Sequence, residues 1–282
     1  MVIKNLNEYG INTKNRTYII AEIGLNHNGS IKVAKDLIDS AARTGVDAVK
    51  FQTYLTEKRA PDGNIELFNL LKNLELPFNA FLELKQYTEE NHNLDFFSTA
   101  FDNESVEFLE TIDMSMYKIA SFDICNHGLL NKIAKTGKPV ILSVGMSKLN
   151  EIEEAYRILK KNTNNVALLH CISSYPTKES DALLSNIYEL YKSFDCVIGQ
   201  SDHTNGIKVP IYAAACGAQI IEKHFKINNN FNCVDSPVSI TEKQMTELVK
   251  SIRDLEAILG ESKFGIRPTE ENTVVFRRKS II

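Results

Sequence analysis

Two histidines, His203 and His224, stand 21 residues apart, each at the C-terminal end of a short apolar run. The first lies in QSDHTNG, residues 200–206, and the second in IIEKHF, residues 220–225. A lone histidine beside such a run is ordinarily a satisfied core or rim residue. A pair on neighbouring strands at one depth is different, because two neutral imidazoles meeting at a point form part of the donor set of a divalent ion with open positions. No cysteine pair accompanies them, so water and substrate oxygens would complete the shell. That favours an exchangeable Mn²⁺, Mg²⁺ or Co²⁺ over a structural zinc. Asp202 and Glu222 are either partners that fix the histidine tautomers or outer-face surface residues.

A second set has anion-binding chemistry. Lys50, Lys118, Ser121, Ser143 and Ser201 lie within or just after other apolar runs. Two ammonium groups and several hydroxyls match a phosphate and a carboxylate. Burying two lysines without an anion would be costly, which favours a ligand. The rival role is the Schiff-base lysine of an aldolase. His27 and Asn28 in LNHNGS either line the same place or belong to a helix entry capped by Ser30 or Asn28.

The elements that must position these groups alternate along the chain. Runs rich in Val, Ile, Phe and Tyr at 17–24, 47–53, 95–101, 116–121, 139–145, 165–171, 195–202 and 218–225 predict eight strands. Amphipathic stretches separate them. In residues 30–45, for example, Val33, Leu37, Ile38 and Ala41 share one helical face and Gly45 closes the C-terminal end. Eight strands each followed by a helix predict an α/β fold, a (β/α)8 TIM barrel spanning residues 17–260, rather than an unusually wide open sheet. Residues 1–16 are expected to cap the barrel bottom, residues 59–78 to lengthen the second strand–helix connection into a lid, and residues 261–282 to form a linker. The strand ends then bring Glu22, Lys50, Gln52, Ser98, Thr99, Lys118, Ser121, Ser143, the turn Ser173-Ser174-Tyr175, Ser201, Asp202, His203, Glu222 and His224 to one mouth.

Composition excludes several partners. A formal net charge of −4 with 24% charged residues carries no basic surplus for nucleic acid. No segment approaches the roughly 20 apolar residues of a membrane span and the N-terminus lacks a signal-peptide pattern, so a cytoplasmic protein is expected. Five cysteines placed singly predict buried reduced thiols acting as small hydrophobes.

The segments AEIGLNHNGS, DAVKFQT, YKIASF, LLHCISSYPT, SDHTNGI and GAQIIEKHF, in this order, resemble the sialic acid synthase family over about residues 18–260. The resemblance implies condensation of phosphoenolpyruvate with an N-acylated amino sugar, N-acetylmannosamine or a di-N-acetyl deoxyhexose. The products would be a nine-carbon 2-keto sugar acid and phosphate. It implies His203 and His224 as metal ligands and Glu22 as a carboxylate near metal and substrate. Lys50, Thr99, Lys118, Ser121, Ser143 and Ser201 would hold phosphoenolpyruvate, and Gln52, Tyr175 and Asp235 would face the amino sugar. Asp123 stands where the family has an acid/base glutamate, one methylene shorter. NCVDSPVS and ILSVGM also depart from the usual pattern, and the motifs are split between the N-acetylneuraminate, legionaminate and pseudaminate branches. A homodimer is implied as well. So is a C-terminal antifreeze-like domain, expected to be absent because FRRKSII stands where it would begin: a fragment, a second polypeptide completing the site, or reduced activity would follow. A Schiff-base aldolase and a catalytically impaired sugar- or phosphoenolpyruvate-binding barrel are the alternatives.

Overall fold

The computed structural model describes residues 16–260 and 263–278. Strands β1 (Tyr18–Gly24), β2 (Ala48–Thr53), β3 (Asp95–Ala100), β4 (Tyr117–Ile119), β5 (Val140–Ser143), β6 (Val166–Cys171), β7 (Val197–Asp202) and β8 (Ile220–Lys226) pair in sequence order, all parallel, and β8 closes onto β1. This is a (β/α)8 TIM barrel. Helix α1 (Ile31–Thr44) follows β1, while α2 (Thr56–Arg59), α3 (Ile65–Leu74) and α4 (Phe78–Asn91) follow β2. Then come α5 (Asn103–Thr111), α6 (His127–Ala134), α7 (Leu149–Leu159), α8 (Ser185–Ser193) and α9 (Lys208–Ala215). A short β9 (Ile240–Thr241) lies beside the end of β8, and α10 (Glu242–Leu259) returns the chain to α1.

Local sequence explains the element ends. Ser30 caps α1 by accepting the Val33 N–H, and Gly45 leaves it in the left-handed region at φ 82°. Pro210 falls in the first turn of α9, where its missing N–H costs nothing. Strands β1, β6, β7 and β8 are buried along their whole length, as a barrel packed on both faces requires. Side chains alternate between the barrel interior and the helix layer, so parity decides which strand residues reach the mouth.

The segment expected to be a lid is largely helical. Leu71 and Leu74 of α3 pack with Leu25 and Tyr54 in a satellite cluster of their own, and the Tyr54 hydroxyl donates to the Leu71 carbonyl at 2.9 Å. The predicted cap over residues 1–16 lies outside the described residues except Arg16, whose guanidinium pairs with Asp47. Within the predicted linker, residues 263–278 are almost wholly exposed and form a 3₁₀ helix at Pro268–Phe276. The cysteine expectation holds for Cys171, Cys196 and Cys233. Cys125, in the turn before α6, is exposed, and Cys216, at the end of α9, is half-buried. No helix among the described residues is long and apolar enough to cross a membrane.

Candidate active site

The C-terminal ends of the strands enclose one polar cup. It is lined by Glu22, Lys50, Gln52, Thr99, Lys118, Ser121, Ser143, Tyr175, Ser201, His203 and His224, eleven of the thirteen residues singled out from sequence, and also by Glu222 and Cys171. Asp235 borders it through His224. Asp123 does not line it. Its carboxylate, in the turn after β4, accepts from the Asn126 amide at 3.0 Å, and burial pushes its pKa up.

Register sets the central charges. Glu22 lies level with Lys50 on β2 and with His224 on β8. Lys50 Nζ is 2.7 Å from Glu22 Oε2 and donates to Thr99 Oγ1 at 2.9 Å. Lys118 Nζ donates to Ser143 Oγ at 2.6 Å and lies 3.9 Å from Glu222 Oε1, which also accepts from Ser201 Oγ at 2.8 Å. The two buried lysines therefore already face protein carboxylates, so their burial does not by itself call for a ligand anion as expected. Glu222 is not an outer-face residue either: it is two positions from His224 and shares its face.

Burial and charge compete within the cup. Burial pushes the Glu22 carboxyl up, against Lys50, with the Glu222 charge adding to the rise. Burial acts the same way on Glu222, but Lys118, Lys50 and the Ser201 hydroxyl outweigh it and hold that carboxylate well below its ordinary range. Burial pushes Lys118 down despite Glu222. For Lys50, Glu22 and Glu222 overcome burial and push it up. One ionised carboxylate and one protonation-prone carboxyl thus stand among two ammonium groups of different basicity.

The histidines meet at the same rim, with ring centroids 5.4 Å apart and planes inclined by 49°. His203 Nδ1 donates to the Ile172 carbonyl at 2.8 Å, which leaves Nε2 as a bare lone pair. The Thr177 N–H holds the His203 backbone through its carbonyl at 2.9 Å. His224 Nδ1 is buried without a hydrogen-bond partner and lies 3.4 Å from Asp235 Oδ2. The Tyr175 ring stacks on His203 at 4.1 Å. Among the described residues no cluster of three or more His, Cys, Asp or Glu side chains is arranged to hold a metal ion. His203 Nε2 and the orphaned His224 Nδ1 are the two nitrogens that an exchangeable ion would take, with water and substrate completing its shell.

Backbone geometry keeps room beside these groups. Gly24 ends β1 at φ 54°, and a Cβ there would stand 3.0 Å from Glu22 Oε1, 3.2 Å from Gln52 Nε2 and 3.4 Å from Asp235 Oδ2. Those three side chains converge on that spot, so glycine keeps it open. Asn26, which sequence reasoning passed over, fixes the loop carrying Asp235. Its carbonyl oxygen accepts the Asp235 N–H at 3.1 Å, and its amide donates to the Phe225 carbonyl and to Ser239 Oγ, both at 2.9 Å. A polar residue directly after a buried strand was the available signal. His27 is buried away from the cup, stacked on Phe51, and Asn28 reaches the Asn232 carbonyl, so both serve the connection into α1. Asp202 points outward yet is buried against Lys223 at 2.6 Å.

The NeuB family model matches residues 37–264. The chain is 37% identical to N,N'-diacetyllegionaminic acid synthase of Campylobacter jejuni, covering 95% of this chain and 84% of that protein. It is 32% identical to pseudaminic acid synthase of the same organism, over 95% and 82%. Among solved structures, the N-acetylneuraminic acid synthetase of Leptospira borgpetersenii superposes with a TM-score of 0.90 at 40% identity, covering 94% of this chain and 92% of that one.

Proposed function

Because the chain belongs to the NeuB family of sialic-acid-type sugar acid synthases, we propose that it condenses phosphoenolpyruvate with an open-chain N-acylated amino sugar to give a nine-carbon 2-keto acid and inorganic phosphate. The observation that carries this reading is that one cup holds two sets of groups: buried ammonium and hydroxyl donors from β2 to β5 and β7, and two imidazoles from the ends of β7 and β8 that meet at its rim.

In this reaction Lys50, Lys118, Thr99, Ser121, Ser143 and Ser201 hold the phosphate and carboxylate of phosphoenolpyruvate, and Gln52, Tyr175 and Asp235 orient the sugar. His203 and His224 hold a divalent ion, which supplies Lewis-acid polarisation of the sugar aldehyde when bound. C3 of phosphoenolpyruvate forms a bond to the aldehyde carbon, and the aldehyde oxygen takes a proton. Water adds at C2 and loses one proton, which balances the one taken by the aldehyde oxygen; its second proton leaves as the C2–O bond to phosphate breaks, the keto group forms, and phosphate departs with the bonding pair. Glu22, whose pKa is raised by burial, is the proton carrier beside the sugar carbon. Asp123 is left a more distant acid/base role, since it does not line the cup. Lys118 and Lys50 stabilise the departing phosphate. Glu222 must then give up its hold on Ser201 as phosphate arrives, and its charge helps expel the product.

The test is phosphate release with Mn²⁺, phosphoenolpyruvate and either N-acetylmannosamine or a di-N-acetylated deoxyhexose, with the product identified by mass spectrometry. Turnover with one sugar, lost on chelation and restored by metal, is expected. Metal-independent turnover removes the histidine role. Binding of phosphoenolpyruvate without turnover on either sugar points to a binding barrel. One observation favours a second reading: burial pushes Lys118 down, as a Schiff-base lysine requires. Borohydride trapping of pyruvate on Lys118 would establish it.

A further inference from the structure

Arg59 ends the four-residue helix α2, in the connection after β2. Its backbone is pinned at several points. The Leu55 N–H donates to Asp102 Oδ2 at 2.8 Å, the Thr56 N–H to Glu75 Oε2 at 2.9 Å, and the Ala60 N–H returns to the Thr56 carbonyl at 2.9 Å. The guanidinium carbon lies 3.8 Å from the ring centroid of Phe101, a residue of the cup wall, and 4.5 Å from that of Tyr54. Aromatic contact of this kind fixes the plane of an arginine without using its N–H donors.

Those donors are what the fold leaves open. Nη1 is buried and has no hydrogen-bond partner. The carboxylates that act on the guanidinium charge are Asp235, Asp123 and Glu22. They come from the loop after β8, the turn after β4 and the end of β1, and such positions converge only over the mouth of a barrel. None of them accepts a hydrogen bond from Nη1. A structural arginine would have closed onto one of these oxygens, because an unmade buried donor forfeits its hydration with nothing in return.

We propose that Arg59 is a binding residue for the acceptor sugar, donating through Nη1 to a neutral oxygen, an N-acyl carbonyl or a hydroxyl. The proposal rests on the reading of the cup as a synthase site and narrows its substrate class to sugars without a phosphate of their own. Burial of the guanidinium outweighs Asp235, Asp123 and Glu22 and pushes its pKa down, yet an anion brought to Nη1 would still meet the repulsion of these carboxylates, whereas a neutral acceptor completes the donor without it.

The experiment compares Arg59→Ala and Arg59→Lys with wild type in the full chain, using the sugar that wild type turns over and its 6-phosphate. Lys58→Ala, an exposed neighbour on the same turn, is the control. Both Arg59 variants are expected to raise the sugar KM about 10- to 100-fold, with the KM for phosphoenolpyruvate within about twofold and thermal melting close to wild type. The lysine variant should not rescue, because it lacks the planar fork held on the two rings. Wild type should prefer the unphosphorylated sugar. An unchanged sugar KM, an equal rise in the KM for phosphoenolpyruvate, or an Arg59-dependent preference for the 6-phosphate would overturn the assignment. Calorimetric titration of the sugar into phosphoenolpyruvate-loaded protein reads the contact without turnover. Arg59-dependent sugar binding with no product would reject the synthase reading and keep Arg59, and sugar binding that is absent or independent of Arg59 would reject Arg59.

Discussion

Strands β7 and β8 carry buried charge on both of their faces, one residue apart in sequence, and the two faces are finished differently. On the outer face, Lys223 pairs with Asp202 at 2.6 Å and also donates to the Thr204 carbonyl. Thr204 Oγ1 reaches both Asp202 oxygens, at 3.1 and 2.9 Å, and the Gln200 amide gives a further bond at 3.3 Å. In that group only the Gln200 Oε1 lacks a partner. On the inner face Gln52 Oε1, Glu222 Oε2 and His224 Nδ1 are all buried and without hydrogen bonds, as is Arg59 Nη1 above them. Burial is nearly equal on the two faces, so burial alone does not mark function. Several unmade bonds gathered at one place do: the outer cluster is closed but for one atom and scaffold atoms such as His27 Nε2 and Ser105 Oγ are orphaned singly, whereas the inner group keeps capacity for a ligand.

The contrast breaks most sharply at Lys223. Replacing it with alanine strands the Asp202 carboxylate beneath the helices, and the expected loss of unfolding free energy in urea is about 3–5 kcal/mol. Turnover per folded molecule should be unchanged. The double substitution Lys223→Met with Asp202→Leu should recover much of that stability, since it removes both charges together. If Lys223→Ala instead abolished turnover in a protein that still melted normally, the outer pair would belong to the site.

Lys118→Ala is the inner counterpart, with the effects reversed. The phosphate-release rate should fall about 10²- to 10³-fold, equivalent to about 3–4 kcal/mol of transition-state stabilisation. Its cost in stability should be smaller than that of Lys223→Ala, because Glu222 keeps Lys50 at 3.7 Å and the Ser201 hydroxyl. Equal destabilisation by the two substitutions would erase the distinction between the faces.

Much of this was legible in the sequence because the barrel turns it into geometry. Regular alternation of strand and helix gave eight strands, closure put their ends together, and polar residues at those ends had nowhere else to go. Parity within a strand was the signal left unused. It separates Glu222 and His224 from Lys223, and Ser201 from Asp202, and would have settled Glu222 as a cup residue and taken Asp202 out of the mouth at once. Arg59 had no such signal. Its place depends on rings contributed by Tyr54 and Phe101, 47 residues apart in the chain, and on three carboxylates from separate strands. For Asp123 sequence likeness gave a role but not a place: its carboxylate lies outside the lining of the cup, where the turn after β4 ties it to Asn126.

His27 tests the scaffold side of the comparison from within the first connection. The ring is buried, its Nδ1 accepts the Gly29 N–H at 3.1 Å, and burial lowers its pKa from 6.5 to about 4, the Gly24 backbone opposing only weakly. The native state thus keeps the imidazole neutral where the unfolded chain protonates it. With the folded value below the unfolded one, the contribution is intact above pH 6.5 and is lost as pH falls towards 4, by about 3 kcal/mol in total. Carboxylates also titrate in that window, so the measurement is a difference: unfolding free energies of wild type and His27→Gln at pH 7, 5.5 and 4. The variant should be the less stable at pH 7 and show the shallower decline. Turnover at pH 7 should stay within a few-fold of wild type, because the ring does not reach the cup. Parallel declines would mean that His27 is already solvated or charged in the folded protein, and that this part of the scaffold is as open as the site it supports.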